Sequence, residues 1–149
     1  MFATPTRIKQ FKGGSRFLSN FYPVQMSHDG IKYPTVEHAF QAAKTLDFEH
    51  RWKIAKMGSP GAAKRAGKGV TLRPDWESAK NNIMIELVLQ KFSRHPELRQ
   101  QLLATAEAEL VEGNWWHDNY WGDCSCEDCD QPGENVLGRI LMTTRKSLR

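Results

Sequence analysis

Glu37, Gln41 and Lys44 fall at i, i+4 and i+7 of the segment Val36-Glu37-His38-Ala39-Phe40-Gln41-Ala42-Ala43-Lys44. In a helix that spacing aligns a carboxylate, an amide and an amine along two turns. Val36, Phe40 and Ala43 share a separate, apolar face. Such a wall offers a general base and an amine, the parts of acid–base or nucleophilic chemistry. A solvent-facing stripe with weak helix pairing would use the same spacing. The rest of the segment is apolar or small, which favours a lined cleft.

A second concentration runs Gly113-Asn114-Trp115-Trp116-His117-Asp118-Asn119-Tyr120-Trp121-Gly122-Asp123. Aromatic faces stack on flat heterocycles, and the carboxylates and amides among them can read hydroxyls or ring edges. A loop anchored into the core by its aromatics is the plainer alternative, but an anchor does not need so many Asp and Asn. Arg16-Phe17-Leu18-Ser19-Asn20-Phe21-Tyr22-Pro23 sets one amide, Asn20, among aromatics and reads on its own as an edge segment. Arg73-Pro74-Asp75-Trp76 puts a fixed charge beside an aromatic at a helix start, where a phosphate can sit. A capped helix with Trp76 in the core fits it equally.

The three cysteines form Cys124-x-Cys126-x-x-Cys129, with His117 seven residues before the first. Three thiolates and an imidazole make the donor set of a Cys3His zinc site, structural rather than catalytic. The paired CxxC spacing of a zinc ribbon is absent, and free thiols are the alternative.

The elements that must position these groups follow from local signals. A strand is expected over 7–11. Strands over 24–27 and 31–33 flank His28-Asp29-Gly30, a hairpin signal because Asp-Gly tolerates positive φ. Thr35 caps a helix to about Leu46, with Glu37 near its positive N-terminal dipole. A second helix is expected over 49–57, stopped by Gly58. Ser59-Pro60 opens a third that ends at Gly67. Residues 70–73 should be extended, since Pro74 disfavours helix before it. Asp75 caps a long helix over 76–93, with Ala79, Ile83 and Leu87 facing in. Pro96 starts another, with Leu98, Leu102 and Leu103 inward. A strand at 110–111 and a long loop over 114–134 precede a last helix. Asn135 caps that helix, and Leu137, Leu141 and Leu148 face in. Loops of that length are often functional. About six helices and a few short strands, in no βαβ alternation, give a mostly helical α+β domain.

With 149 residues the chain is the size of one domain. No apolar run approaches the roughly 20 residues of a membrane span. The first residues have no apolar signal core, and the clustered cysteines exclude a disulfide scaffold. The expectation is a soluble cytoplasmic protein with no membrane association. The net charge of +4 conceals an asymmetry: residues 1–73 carry 13 Lys/Arg against 4 Asp/Glu, and residues 74–149 carry 8 against 13. A basic half suits a phosphate-bearing ligand such as a nucleotide or nucleic acid. Solvated helix faces account for it equally well.

Taken in order, these pieces resemble the NADAR family, also called YbiA-like. The matching text begins with Phe17-Leu18-Ser19-Asn20-Phe21-Tyr22-Pro23 and Tyr33-Pro34-Thr35 through Lys44. It continues with Leu72-Arg73-Pro74-Asp75-Trp76, Lys91-Phe92 and Leu110-Val111-Glu112-Gly113-Asn114. Asp118 to Gly122, and Gly133-Glu134-Asn135 through Met142, complete it. The cysteine insertion departs from the plainest Gly-rich form of that last loop. The resemblance implies a single YbiA-like domain over 1–149. It also implies an N-glycosidase acting on ribosylated substrates: ribosylamino intermediates of riboflavin synthesis, or ADP-ribosyl-guanine in nucleic acid.

Cleaving an N-riboside develops positive charge at the ribose C1 and ring oxygen, which a carboxylate stabilises. Glu37 and Asp118 are the candidates. Lys44 either holds a phosphate or leaving base as a cation, or attacks C1 of an opened ribose as an amine. Trp76 and Trp121 would stack on a base, Asn20 and Arg73 would bind sugar or phosphate, and Gly122 is a further substrate-binding candidate. No cofactor is required for this chemistry; zinc at Cys124, Cys126, Cys129 and His117 would be structural. The partners expected are an ADP-ribose-containing or ribosylated-base substrate, including ADP-ribosylated DNA or RNA. Two other classes compete: a non-catalytic module reading ADP-ribose or NAD, and a zinc-stabilised nucleic-acid binder using the basic half.

Overall fold

The computed structural model describes residues 5–149. The fold is α+β and mostly helical. Among the described residues there are six α-helices, a 3-10 helix at Gly13–Leu18 and six strands of two or three residues. None of these helices is long and apolar enough to cross a membrane. The chain divides into two compact units, one of Asn20–Lys91 and one of the described part of 1–19 with Phe92–Arg149; the division falls within the longest helix.

In the first unit, β2 (Met26–His28) and β3 (Ile31–Tyr33) form an antiparallel hairpin with Met26 opposite Tyr33 and His28 opposite Ile31. Asp29 (φ 48°) and Gly30 (φ 81°) make its two-residue turn. Both sit in the left-handed region that this hairpin turn demands. His28 is therefore a strand residue, one position beyond the expected end. Gln90 clips the free edge: its Oε1 accepts from Ser27 N–H (2.8 Å) and its amide donates to Ser27 O (2.7 Å).

Then follow α1 (Val36–Ala42), α2 (Phe48–Ala55), α3 (Pro60–Gly67) and α4 (Trp76–Arg94). Thr35 caps α1 by accepting from His38 N–H at 3.0 Å, and Ser59 caps α3 from Ala62 N–H at 3.1 Å. Such caps contribute about 1 kcal/mol each. Asp47 rather than a later residue opens α2, accepting from Glu49 N–H, and the helix ends at Ala55, before the expected Gly58 stop. Helix α1 packs against α2, α3 and the hairpin, so every residue from Val36 to Ala42 is buried, the polar ones included. Met26, Ile31, Tyr33, Ile54, Met84 and Leu87 complete this core.

In the second unit, β1 (Arg7–Ile8) pairs parallel with β4 (Glu109–Leu110), and β5 (Gly113–Asn114) pairs parallel with β6 (Asp123–Cys124). The strand expected over 7–11 is thus cut to two residues, and the expected strand at 110–111 starts one residue earlier. The stretch 114–134 is not a bare loop, since β5 and β6 tie it together. Helices α5 (Pro96–Ala104) and α6 (Val136–Ser147) supply Leu98, Leu102, Leu137, Ile140 and Leu141 to the core.

Asn135 does not cap α6 with its side chain. Its backbone is left-handed (φ 50°). Its amide group instead spans the neighbouring chain, accepting from Glu112 N–H (2.9 Å) and donating to Leu110 O (2.9 Å). Leu148 is only half-buried.

Candidate active site

Helix α1 stops at Ala42, four residues before the expected end. The chain after it is tethered by residues distant in sequence. Arg73 N–H takes Lys44 O (2.7 Å), the Arg73 guanidinium reaches Ala43 O (3.4 Å), and Arg51 Nε donates to Thr45 O (2.8 Å). A helix ending at Leu46 would leave these same carbonyls without intrahelical donors, so the contacts tether the chain beyond the helix rather than take bonds from it. The last turn tightens instead, with Lys44 N–H on Gln41 O and Thr45 N–H on Ala42 O. Lys44 therefore sits on the turn just past α1, not on the helix.

Arg51 is 2% exposed and its charge is met by Asp29 at 2.7 Å, while Phe48 stacks beneath it at 4.9 Å. Stranding a buried charge costs about 3–5 kcal/mol. The pair thus holds the turn that carries Lys44. The Arg51 guanidinium in turn draws the Asp29 carboxyl below its ordinary range.

Glu37 is 8% and Gln41 5% exposed. A stripe facing open solvent is excluded. The Gln41 amide donates to Glu37 Oε1 at 2.8 Å, which fixes the carboxylate, and the Glu37 N–H donates to Asn20 O at 3.0 Å. Asn20 is half-buried, its amide set against Met84 Sδ at 3.6 Å. Gly67 on α3 lets Gln41 lie where it does: a Cβ there would collide with the Gln41 amide.

Lys44 is half-buried. Burial holds its pKa below the ordinary lysine value; the Glu37 charge opposes that shift, and Lys64 and Lys68 reinforce it. A carboxylate, an amine of lowered basicity and two further ammonium groups thus share one electrostatic neighbourhood. Lys64 and Lys68 were not among the site residues that the sequence suggested. Their i, i+4 spacing along α3 and its C-cap was the available signal.

Arg73 and Asp75 form a two-pronged ion pair at 2.6 and 3.0 Å. The Asp75 carboxylate expected to cap α4 is engaged by this pair, and its backbone oxygen receives Ala79 N–H. Trp76 is 7% exposed and lies against Phe40, ring centroids 5.1 Å apart. Its ring is mostly core. His38 is a structural residue. Its Nε2–H donates to Met57 O (3.0 Å) and its Nδ1 accepts from the Thr35 hydroxyl (2.7 Å). Burial lowers its pKa, which favours that neutral form.

Asn20, Glu37, Lys44, Arg73 and Trp76 therefore belong to one unit. Asp118, Trp121, Gly122 and the cysteines belong to the other, where they build a turn of their own. Asp118 Oδ1 accepts the N–H groups of Tyr120 (3.2 Å) and Trp121 (3.0 Å). Asn114, 1% exposed, organises the stretch before it: its Oδ1 accepts from the N–H of Trp116 and Asp118, and its amide donates to Asp118 O (2.7 Å). Tyr120 and Trp121 stack edge to face at 4.9 Å. Trp115 and Trp116 are 63% and 48% exposed, their rings edge to face at 5.8 Å. Gly122 is buried, and a Cβ there would strike the Glu112 carbonyl, so glycine is needed for packing.

Residues 8–149 match the NADAR domain, and the chain belongs to that family. It is 43% identical to the N-glycosidase YbiA of Escherichia coli over 132 residues, 87% of this chain and 79% of that one. It is 36% identical to an N-glycosidase of Nostoc punctiforme, covering 88% and 84%. A riboflavin biosynthesis protein of Vibrio vulnificus is 36% identical, but this chain spans only 35% of it. The solution structure of E. coli YbiA superposes with a TM-score of 0.79 at 39% identity, covering 96% of this chain and 88% of that one.

Proposed function

We propose that this protein hydrolyses the N-glycosidic bond of an ADP-ribosylated nucleobase, with ADP-ribosyl-guanine in nucleic acid as the substrate. That it is a hydrolase of N-glycosyl bonds follows from its family and from its relatives named N-glycosidases. The observation that carries the finer reading is the neighbourhood of Lys44. Glu37 is a fixed buried carboxylate, suited to oppose the charge that develops at C1 and the ring oxygen. Lys44, held below ordinary lysine basicity, supplies an amine. Lys64 and Lys68 beside it favour a substrate bearing phosphates, as ADP-ribose does. A pure binding module has no use for an amine of lowered basicity beside a carboxylate.

In this reading the ring C1–O bond opens, its oxygen taking a proton and C1 becoming doubly bonded to the base nitrogen. Lys44 Nζ adds to C1, and the C1–N bond to the base breaks as the base leaves with a proton, leaving an imine to Lys44. Water then hydrolyses the imine, returning the amine and freeing the sugar. No oxidant, metal or other cofactor enters. Asn20 and Arg73 contact sugar or phosphate, and Trp76, buried against Phe40, backs the site. Asp118, Trp121 and Gly122 enter through the family motif that they match. Asp118 orders the turn that carries Trp121.

A panel of ADP-ribosyl-guanine DNA, ADP-ribosylated protein and a ribosylamino intermediate of riboflavin synthesis tests the substrate. Free ADP-ribose from the DNA alone is the expected result. Turnover confined to the riboflavin intermediate would replace it with the second reading, which the relatives named for riboflavin biosynthesis favour.

The same assay carries a prediction on the basic cluster. Replacing both Lys64 and Lys68 by Ala should raise KM for the phosphate-bearing substrate about tenfold and flatten its salt dependence, since each lost contact releases fewer counterions. The kcat should change much less. An unchanged KM at low salt would remove the two lysines from the substrate path.

A further inference from the structure

The unit holding Asp118 brings four soft donors to one point. His117 Nδ1 lies 3.3 Å from Cys126 Sγ and 3.4 Å from Cys129 Sγ. With Cys124 Sγ, all four ligand atoms fall within 4.8 Å of one another. Donors around one tetrahedral zinc, at about 2.3 Å for sulfur and 2.0–2.1 Å for nitrogen, stand roughly 3.5–3.8 Å apart. The His117–thiol distances are within a few tenths of an ångström of those separations, and the outer bound of 4.8 Å exceeds them by about 1 Å, a gap that side-chain rotation can close.

Its surroundings are built in the same sense. The N–H groups of His117 (3.4 Å) and Cys126 (3.5 Å) both point at Cys124 Sγ. Donors of this kind stabilise a metal thiolate. The Cys124 N–H is itself held by Asn119 Oδ1 at 2.8 Å, and β5 pairs with β6 up to Cys124. His117 adopts φ 69°, an unfavourable backbone for a residue with a Cβ, and that conformation aims its ring at the thiols. Apolar packing does not explain it, because His117 is exposed.

We propose that Cys124, Cys126, Cys129 and His117 bind one zinc ion, which pins the turn from His117 to Trp121. Three thiolates and an imidazole select zinc over the hard cations. Four protein ligands close the shell, so the ion has no position for a reacting water and its role is structural. His117 immediately precedes Asp118, whose carboxylate receives Tyr120 and Trp121 N–H. The metal therefore sets the entry to that turn from outside.

The test uses the full chain, kept reduced, stripped with a chelator and titrated with cobalt(II) and then zinc. Cobalt should give intense visible bands of tetrahedral sulfur-rich coordination at one equivalent, bleached by one equivalent of zinc. Zinc retained after desalting should reach at least half an equivalent. Amide exchange over 115–126 should slow at least tenfold on loading. Cys126→Ser and Cys129→Ser should each lower retained zinc at least tenfold; the titration of the parent chain stands even if these variants fold poorly. A pale octahedral cobalt spectrum, or retained zinc below half an equivalent, overturns the proposal and leaves three free thiols. Loss of N-glycosidase activity plays no part in the readout, so the metal site and the catalytic reading fail separately.

Discussion

Glu37→Gln is expected to lower N-glycoside hydrolysis by about a thousandfold with the fold intact. A positioned carboxylate contributes 10²–10⁴-fold to such steps, and Glu37 is positioned by Gln41 and by burial. The replacement keeps an Oε1 to accept the Gln41 amide, so the local hydrogen bond survives and the melting temperature should move little. The electrostatics should move. The Glu37 charge is what raises the Lys44 pKa against burial and against Lys64 and Lys68. Removing it lets the Lys44 pKa fall further, so the titration of the Lys44 side chain, followed by NMR, should shift to lower pH. A variant with near-parent turnover and an unmoved Lys44 titration would take Glu37 out of the site. Lost turnover with an unmoved titration would keep Glu37 catalytic but deny its coupling to Lys44.

That coupling was only partly legible in the sequence. The period of Glu37 and Gln41 on one helix face followed from local spacing, and so did the Thr35 and Ser59 caps and the Asp29-Gly30 turn. Each depends on neighbours within four residues. What local signals could not supply was the end of α1. Nothing between Ala43 and Leu46 breaks a helix; Arg73 and Arg51, distant in sequence, tether the backbone of residues 43–45 along a different course. Lys44 consequently leaves the helix for a turn, and Arg73, expected to face ligand, is partly engaged in shaping that turn. Asn135 and Asp75 show the same limit. Both are good capping residues by type, yet one side chain bridges Leu110 and Glu112 and the other pairs with Arg73. The cysteine quartet was legible by residue type, but its convergence depends on the left-handed backbone at His117, which a histidine does not advertise.

The Lys44 amine gives the sharper separation of mechanisms. Lys44→Arg preserves a cation of similar reach but cannot deprotonate to attack carbon. If Lys44 acts as a nucleophile, the arginine variant should be as inactive as Lys44→Ala, each down at least about a thousandfold. If Lys44 only holds a phosphate or leaving base, the arginine variant should keep most of the activity that alanine loses. The pH profile adds an independent sign. Burial lowers the Lys44 pKa, so the neutral amine becomes the major form at a lower pH than for a free lysine. Turnover limited by attack should therefore rise with pH and level off below the ordinary lysine value of 10.5. In Glu37→Gln the residual activity should level off at a still lower pH, because the opposing charge is gone. Borohydride added during turnover reduces an imine to a stable secondary amine. Mass spectrometry should then find the sugar on the peptide containing Lys44 and on no other. Full turnover with no adduct, together with an active Lys44→Arg, would assign Lys44 to charge alone and leave water to attack C1 directly.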